Sequence, residues 1–406
     1  MNKIYALTNK FKHYEWGSQH LIPDFLGIEN KSGRPFAEMW MGTHKSAPSQ
    51  VSYDGSGNLV DLADISGDLP FLFKLLAIEN PLSIQAHPNL KQAEEGFKRE
   101  QDSGLSINAP TRNYKDTNHK PEIICSITPL SLMAGFREPE NILKSFEELS
   151  SVSASVKEII DPVIHSLKHG SISAFFRTLF NFSRIEQEYL CTFINDRNET
   201  NASGAITEEQ WKLMKHFVRL YRGDSSVLAP LYLNCIKLMP GQALYIPAGV
   251  LHAYISGFGA ELMTSSDNVL RGGLTPKHVN IDELMNILHF IPYYPDIISP
   301  PDLPFSEKSK GEWFCFHTPC KEFLLAFMRT NPSNNGKEFI FQGQRPAICI
   351  ITEGELKAGG MTFKKGQSFF IPKNISGEKE PFIFEGSFSL YAACAAGNGA
   401  LSAGTS

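Results

Sequence analysis

Short apolar runs dominate the first third of the chain. Pro70 to Ile78 and Ile123 to Ile127 have strand length and lie among Gly and Pro residues, which predicts β-sheet from residue 1 to about residue 135. The period changes at Glu138. Ile142, Phe146 and Leu149, then Ile159, Ile160, Val163, Ile164 and Leu167, recur at helical spacing and predict a helical insert reaching about Arg222. Thr207 and Gln210, just ahead of Trp211, Leu213, Met214 and Phe217, have the form of a capping box opening one more amphipathic helix, with Gly223 near its end.

Strand texture resumes at Tyr232 and runs past Ala260. Asp282 to Phe290 reads as a helix and the Pro-rich Ile291 to Pro304 as a linker, ahead of a final β unit from about Trp313 to Cys394. One internal echo supports this division. Gly241-Gln-Ala-Leu-Tyr-Ile-Pro247 is matched by Gly366-Gln-Ser-Phe-Phe-Ile-Pro372, in each case a turn glycine leading into an apolar strand that stops at proline. The chain thus divides into a β unit in two pieces, 1–137 and 225–312, a helical insert at 138–224, a second β unit at 313–396 and a small polar tail at 397–406 that is expected to fray.

With 406 residues, 42 % of them hydrophobic and 20 % charged, the chain is an ordinary folded one, large enough for two or three packed units. A net charge of -5, with the Lys and Arg residues scattered, excludes general attraction to phosphate backbones, so no nucleic-acid partner is expected. No stretch is apolar enough to span a membrane, and Met1 to Lys12 lacks the apolar core of a signal peptide. The seven cysteines form no C-x-x-C pair and are odd in number, which argues against a disulfide framework and for a cytoplasmic protein. In that setting the glycosylation sequon at Asn198 is chance.

Four positions carry metal-ligand chemistry. Gln85 and His87, in Gln85-Ala-His87-Pro88, follow the strand-like Pro81 to Ile84, and alternation along an extended chain turns both to one face. Glu122 opens the apolar Ile123-Ile124 run. His252 follows a strand that ends in a Pro-Ala-Gly turn, in the pattern Gly241-x5-Pro247-x-Gly249-x2-His252. Singly, each has a plainer reading as hydrogen-bonded structure; together, two imidazoles, a carboxylate and an amide oxygen suit zinc with a position left open. Arg271, in Ser265-Ser-Asp267-Asn268-Val-Leu-Arg271-Gly272-Gly273, is followed by two glycines, as if something bulky approaches the backbone there. Its guanidinium is suited to a phosphate or an enediolate oxygen, or, more plainly, to a surface ion pair with Asp267.

The ordered set Glu38-Met-Trp-Met-Gly-Thr-His44, Ser83-Ile-Gln85-Ala-His87-Pro88, His119-Lys-Pro-Glu122, the Pro-Ala-Gly turn before His252, and Ser-Asp-Asn-Val-Leu-Arg271-Gly-Gly-Leu-Thr-Pro276 resembles the type I mannose-6-phosphate isomerases over roughly residues 5 to 280. The resemblance implies a mainly β protein with two double-stranded β-helix (cupin) units and a helical insert. It implies one zinc ion held by Gln85, His87, Glu122 and His252, an active-site Arg271, and Lys120 as a residue for proton transfer. His44, Lys74, Glu261 and Asp267 would line the cavity. The implied reaction is the interconversion of mannose 6-phosphate and fructose 6-phosphate, feeding GDP-mannose metabolism, with a sugar phosphate as partner and a monomer or weak oligomer as the assembly. Two features depart from the general cupin pattern. Gln85 stands where many cupins carry a histidine, which is the isomerase pattern, and in the C-terminal echo Asn374 and Gly377 replace Gly249 and His252, so a second metal site is not expected. Rival readings are a cupin metal-dependent oxygenase and a non-catalytic sugar-binding cupin, since one barrel hosts many chemistries.

Overall fold

The computed structural model describes residues 3–52, 57–197, 204–301, 303, 312–330, 338–341, 345–373 and 381–395. Asn198, Asn374, Gly377 and the tail 397–406 lie outside the described residues.

Among the described residues the strands form two large antiparallel sheets, one of eleven strands and one of ten. The eleven-stranded sheet is organised by the 13-residue strand His252–Thr264, which is long enough to serve two sets of neighbours. Its second half lies between Phe71–Ile78 and Glu122–Ser126, while its start pairs with Ile84–Ala86 and Leu130–Phe136. All eight residues of Phe71–Ile78 and all five of Glu122–Ser126 are buried, so these strands are covered on both faces and show no alternation of burial, although Lys74 and Glu122 are charged. This is the expected mainly β, cupin-like architecture.

The expected helices fill the interval between the two halves of this sheet: Pro139–Ser150, Ala154–Lys168, Ile172–Leu179, Arg184–Asp196 and Glu208–Leu220. Their starts are written in the sequence. Ser153, Ser171, Ser183 and Thr207 each accept a hydrogen bond from the backbone amide three residues on, and Ser183 and Thr207 complete capping boxes with Glu186 and Gln210. The apolar stripes Ile142, Phe146, Leu149 and Ile160, Val163 are buried in one core with Ile84, Met133 and Leu251 of the sheet, which seats the insert on the end of the barrel.

The helix Leu90–Asp102 departs from the expectation of β structure throughout the first 135 residues. Its sequence is mostly charged and buries only Ala93 and Gly96, so it carries no apolar stripe; the Asn89 and Gln92 capping box is its one local signal. The stretch expected as a linker contributes a short strand, Ile297–Ile298, paired with Ala243 and Leu244.

The echoed heptapeptides adopt the same turn. Gly241 and Gly366 have φ of 87° and 84°, a conformation that favours glycine. The side chains of Gln242 and Gln367 accept from the Met239 and Lys364 amides, and the strands Ala243–Ile246 and Ser368–Ile371 follow. The second copy sits in the ten-stranded sheet, which the chain's first strand also joins: Tyr5–Thr8 pairs with Phe369 and Phe370. The two sheets share a core in which Ile123, Cys125 and Phe258 pack with Phe323, Leu325 and Tyr391. Among the described residues no helix is long and apolar enough to cross a membrane.

Candidate metal centre

Strand register brings the candidate residues together. His252 stands opposite Gln85 in one ladder, and Arg271 stands opposite the same Gln85 in the next. On the neighbouring strands Glu261 faces Lys74, and Trp40 faces Lys74 from the other side. Residues scattered from 38 to 271 in sequence therefore meet on one inner surface.

His87, Glu122 and His252 form a buried cluster whose ligand atoms lie within 4.8 Å of one another. His87 Nε2 is 3.2 Å from Glu122 Oε1 and His252 Nε2 is 3.3 Å from Glu122 Oε2. Each ring is fixed from behind: His87 Nδ1 is 2.7 Å from the Asn268 carbonyl and His252 Nδ1 is 3.0 Å from the Val250 carbonyl. A carbonyl only accepts, so both Nδ1 atoms carry the proton and both Nε2 atoms present a lone pair towards the carboxylate. Those two nitrogens are buried and hydrogen-bond nothing. Orphaned buried acceptors converging on a carboxylate are costly unless a cation joins them, and two imidazoles with a carboxylate fit zinc.

The electrostatics favour ligation. Burial, with the Lys120 charge beside it, lowers the His87 pKa to about 4, which keeps the ring neutral. Burial alone would push the Glu122 carboxyl up, but the Lys120 charge beside it works the other way and the group is held well below the usual carboxylate range. Lys120 Nζ is 2.7 Å from Glu122 Oε1.

The cluster lies beneath a cavity of about 1210 Å³ whose lining includes Gln85, Lys120, Glu122, Glu261, Asp267 and Arg271. Lys74 also lines it, with Nζ 3.7 Å from Glu38 Oε2, 3.5 Å from Glu261 Oε2 and 4.9 Å from the centre of the Trp40 ring. Burial works against the Lys74 charge, yet these carboxylates raise its pKa above the ordinary value. Glu261 shifts upward, through burial and then through its neighbour Glu122. His87 and His252, the most enclosed of the set, are not part of the cavity wall.

His44 stands outside the lining as well. It edges onto Trp40 and its Nε2 is 3.3 Å from Asp267 Oδ2, which lowers the Asp267 pKa. Asp267 is thus taken by His44, and the surface pair Arg271–Asp267 does not form. No carboxylate among the described residues pairs with Arg271, and burial lowers its pKa. Gly273 has a different cause from the one expected. A Cβ there would lie 2.2 Å from the Ser226 side chain, so it is the segment at the junction after the helical insert, with Ser226 and Asp224 bonding to the Leu274 amide, that approaches this backbone closely.

Arg222 also lines the cavity, and so do two lysines, Lys115 and Lys277. Burial and the charges of Arg271 and Lys115 lower the Lys277 pKa. Sequence reasoning missed both, since nothing local marks them apart from the place of Lys277 just after the Arg271 motif. It also missed Glu38 as the partner of Lys74, although a lone lysine inside Phe71–Ile78 signals a buried counter-charge.

Residues 4–139 match the family described as phosphomannose isomerase type I, catalytic domain. The mannose-6-phosphate isomerase of Escherichia coli is 34 % identical over 393 residues, covering 91 % of this chain and 95 % of that protein. Mannose-6-phosphate isomerase 2 of Arabidopsis thaliana is 31 % identical, covering 92 % and 90 %. A mutant of the phosphomannose isomerase from Salmonella typhimurium superposes with a TM-score of 0.80 at 29 % identity, covering 97 % of this chain and 99 % of that one. A holo, zinc-bound mannose 6-phosphate isomerase does so with a TM-score of 0.79 at the same identity and coverage. The likeness runs through both sheets and the helical insert, and the chain belongs to the type I phosphomannose isomerases.

Proposed function

We propose that this chain interconverts mannose 6-phosphate and fructose 6-phosphate, with zinc as its cofactor. The observation that carries the reading is the pair of orphaned imidazole nitrogens facing Glu122 beneath a cavity in which Arg271 pairs with no carboxylate among the described residues. Relatives named mannose-6-phosphate isomerase in bacteria, plants, fungi and mammals support it over the oxygenase and sugar-binding readings.

His87, Glu122 and His252 hold the zinc ion, with the Gln85 amide oxygen as the fourth protein ligand. The bound ion supplies Lewis acidity that polarises the substrate oxygens. Arg271 draws the substrate phosphate or the charge that builds up on a sugar oxygen, and Lys115 and Lys277 add to the positive field at that end of the cavity. The Lys74 ammonium, with Glu38 and Glu261, orients the sugar hydroxyls by donating and accepting hydrogen bonds. Isomerisation removes the proton from C2, leaves an enediolate and returns a proton to C1. As the free amine, Lys120 is the candidate to accept the C2 proton and return it to C1, because the residue lines the cavity with its Nζ 2.7 Å from Glu122 Oε1.

The test is conversion of mannose 6-phosphate by purified protein before and after chelation, and again with zinc restored. Chelator-sensitive, zinc-rescued turnover is expected. Turnover that survives verified zinc removal defeats the metal reading, and a zinc-loaded but inactive protein defeats the isomerase reading.

A further inference from the structure

The loop from Lys115 to Pro121 delivers both Lys120 and Glu122 to the cavity, and most of what holds it comes from a single segment, residues 264–268. Asn268 Oδ1 accepts from the Lys115 and Asp116 amides at 2.7 and 3.2 Å, and its Nδ2 donates to the Asp116 and Asn118 carbonyls at 2.9 and 2.8 Å. The Thr264 hydroxyl donates to the His119 carbonyl. One hold comes from the other sheet. His119 Nε2 lies 2.9 Å from Glu322 Oε1, and since a carboxylate has no proton to give, the ring N–H is the donor.

Glu322 is well placed to fix a neighbour because it is itself fixed. Its Oε2 accepts from the Cys320 thiol and the Lys321 amide, each at 3.1 Å. The strand Phe323–Arg329 begins at the next residue, and its Phe323, Leu325 and Phe327 pack in one core with Ile123 and Cys125, on the strand headed by Glu122. Glu322 and Glu122 therefore stand at the starts of two strands clamped together, with His119 spanning from one to the loop that leads into the other.

We propose that Glu322 is a positioning residue for the isomerase reaction. Through His119 it sets the path of the loop, and so keeps the Lys120 ammonium at the cavity wall. This rests on the reading of the chain as an isomerase with Lys120 in its site, and it gives the second β unit a part in the chemistry. The side chains of His119 and Glu322 are 23 % and 30 % exposed, and a partly exposed pair adds little to global stability, so its effect is concentrated in local geometry.

The test compares zinc-loaded, full-length Glu322→Ala with the parent. Loss of the anchor is expected to lower kcat about tenfold, since displacement of a reacting group by roughly 1 Å costs up to a hundredfold. KM for mannose 6-phosphate should stay within about twofold, and Tm within about 2 °C, with zinc content unchanged. His119→Ala should lose as much, and the double variant should be no slower than the slower single one, as for two members of one chain of contacts. A Glu322→Ala enzyme with the parent's kcat overturns the proposal, as do losses that multiply in the double variant. A loss that comes with missing zinc or a matching fall in Tm makes the contact purely structural and overturns it too. An inactive zinc-loaded parent is a different result: it sinks the isomerase reading and this inference along with it.

Discussion

Lys74 and Glu261 face each other across the antiparallel ladder of Phe71–Ile78 and His252–Thr264, with Nζ and Oε2 3.5 Å apart on the buried floor of the cavity. The same ammonium lies 3.7 Å from Glu38. Two carboxylates are thus held close together in an apolar sheet by one cation. Removing that cation leaves them to repel each other without water. Lys74→Met is expected to destabilise the protein by about 3–5 kcal/mol, the usual cost of stranding a buried charge, and to raise the Glu261 pKa further. Denaturant unfolding checks the first outcome; a Lys74→Met protein as stable as the parent would show that the pair is electrostatically idle. Adding Glu261→Gln should recover part of the loss.

Metal binding should be readable without any turnover. The buried Nε2 atoms of His87 and His252 have no hydrogen-bond partner among the described residues, so a cation that joins them stabilises the folded state. Adding zinc to chelated protein at about a hundred times its Kd should stabilise it by about 2.7 kcal/mol, seen as a rise in Tm. His252→Ala should abolish the rise while the metal-free protein still folds. A His252→Ala variant whose Tm responds to zinc like the parent's would move the metal elsewhere.

Arg271 pairs with no carboxylate among the described residues, so its charge is available to a substrate. Arg271→Ala should cost on the order of a hundredfold in kcat/KM, the range seen when one preorganised donor is removed. Zinc content and Tm should hold. Arg271→Lys keeps the charge but loses the planar fork and should recover only part of the rate. Steady-state kinetics on metal-quantified protein settles it, and a near-normal Arg271→Ala enzyme rules the arginine out.

The thiols set an alkaline limit. Burial pushes the Cys125 and Cys394 thiols up to about 12 from an ordinary 9, although Cys125 keeps a hydrogen bond to Tyr391 at the junction of the two sheets. Above pH 9 the unfolded chain loses these protons while the folded chain keeps them. Stability is therefore full below pH 9 and falls as pH rises towards 12, by about 1.4 kcal/mol per pH unit for each thiol. Urea unfolding under reducing conditions at pH 8, 9, 10 and 11 should show that slope, and it should be shallower in Cys394→Ala.

The parts of the fold that were legible in the sequence are those with a local signature. Helices with apolar stripes and serine or threonine caps, such as Ala154–Lys168 and Glu208–Leu220, announce themselves by period and by their first residue. Leu90–Asp102 does not, because a helix that buries only Ala93 and Gly96 leaves no stripe to read. The candidate site follows the same division. Gln85 and His87 are two apart on one strand and His252 is spaced from a turn, so alternation and turn chemistry pick them out. Glu122 is notable only by its company, and Lys74, Lys120 and Glu261 enter only through resemblance. Lys115, Lys277 and Glu38 stayed unread because their importance lies in cross-strand register and in the path of the chain back to the cavity. Gly273 gives a further lesson: a close approach is visible in sequence, but the sequence does not say whether it is ligand or protein that approaches, and here it is Ser226.

The pairing of Tyr5–Thr8 with Phe369 and Phe370 has a consequence for how the molecule is made. About 360 residues of synthesis separate the two partners. At about 5–20 residues per second, the first strand waits on the order of 20–70 seconds for its neighbour. During that time its unpaired amides and carbonyls are exposed to other nascent chains. The ten-stranded sheet can close only after Phe370 has emerged, so conditions that slow translation or deplete chaperones should lower the yield of active protein more than its equilibrium stability would suggest.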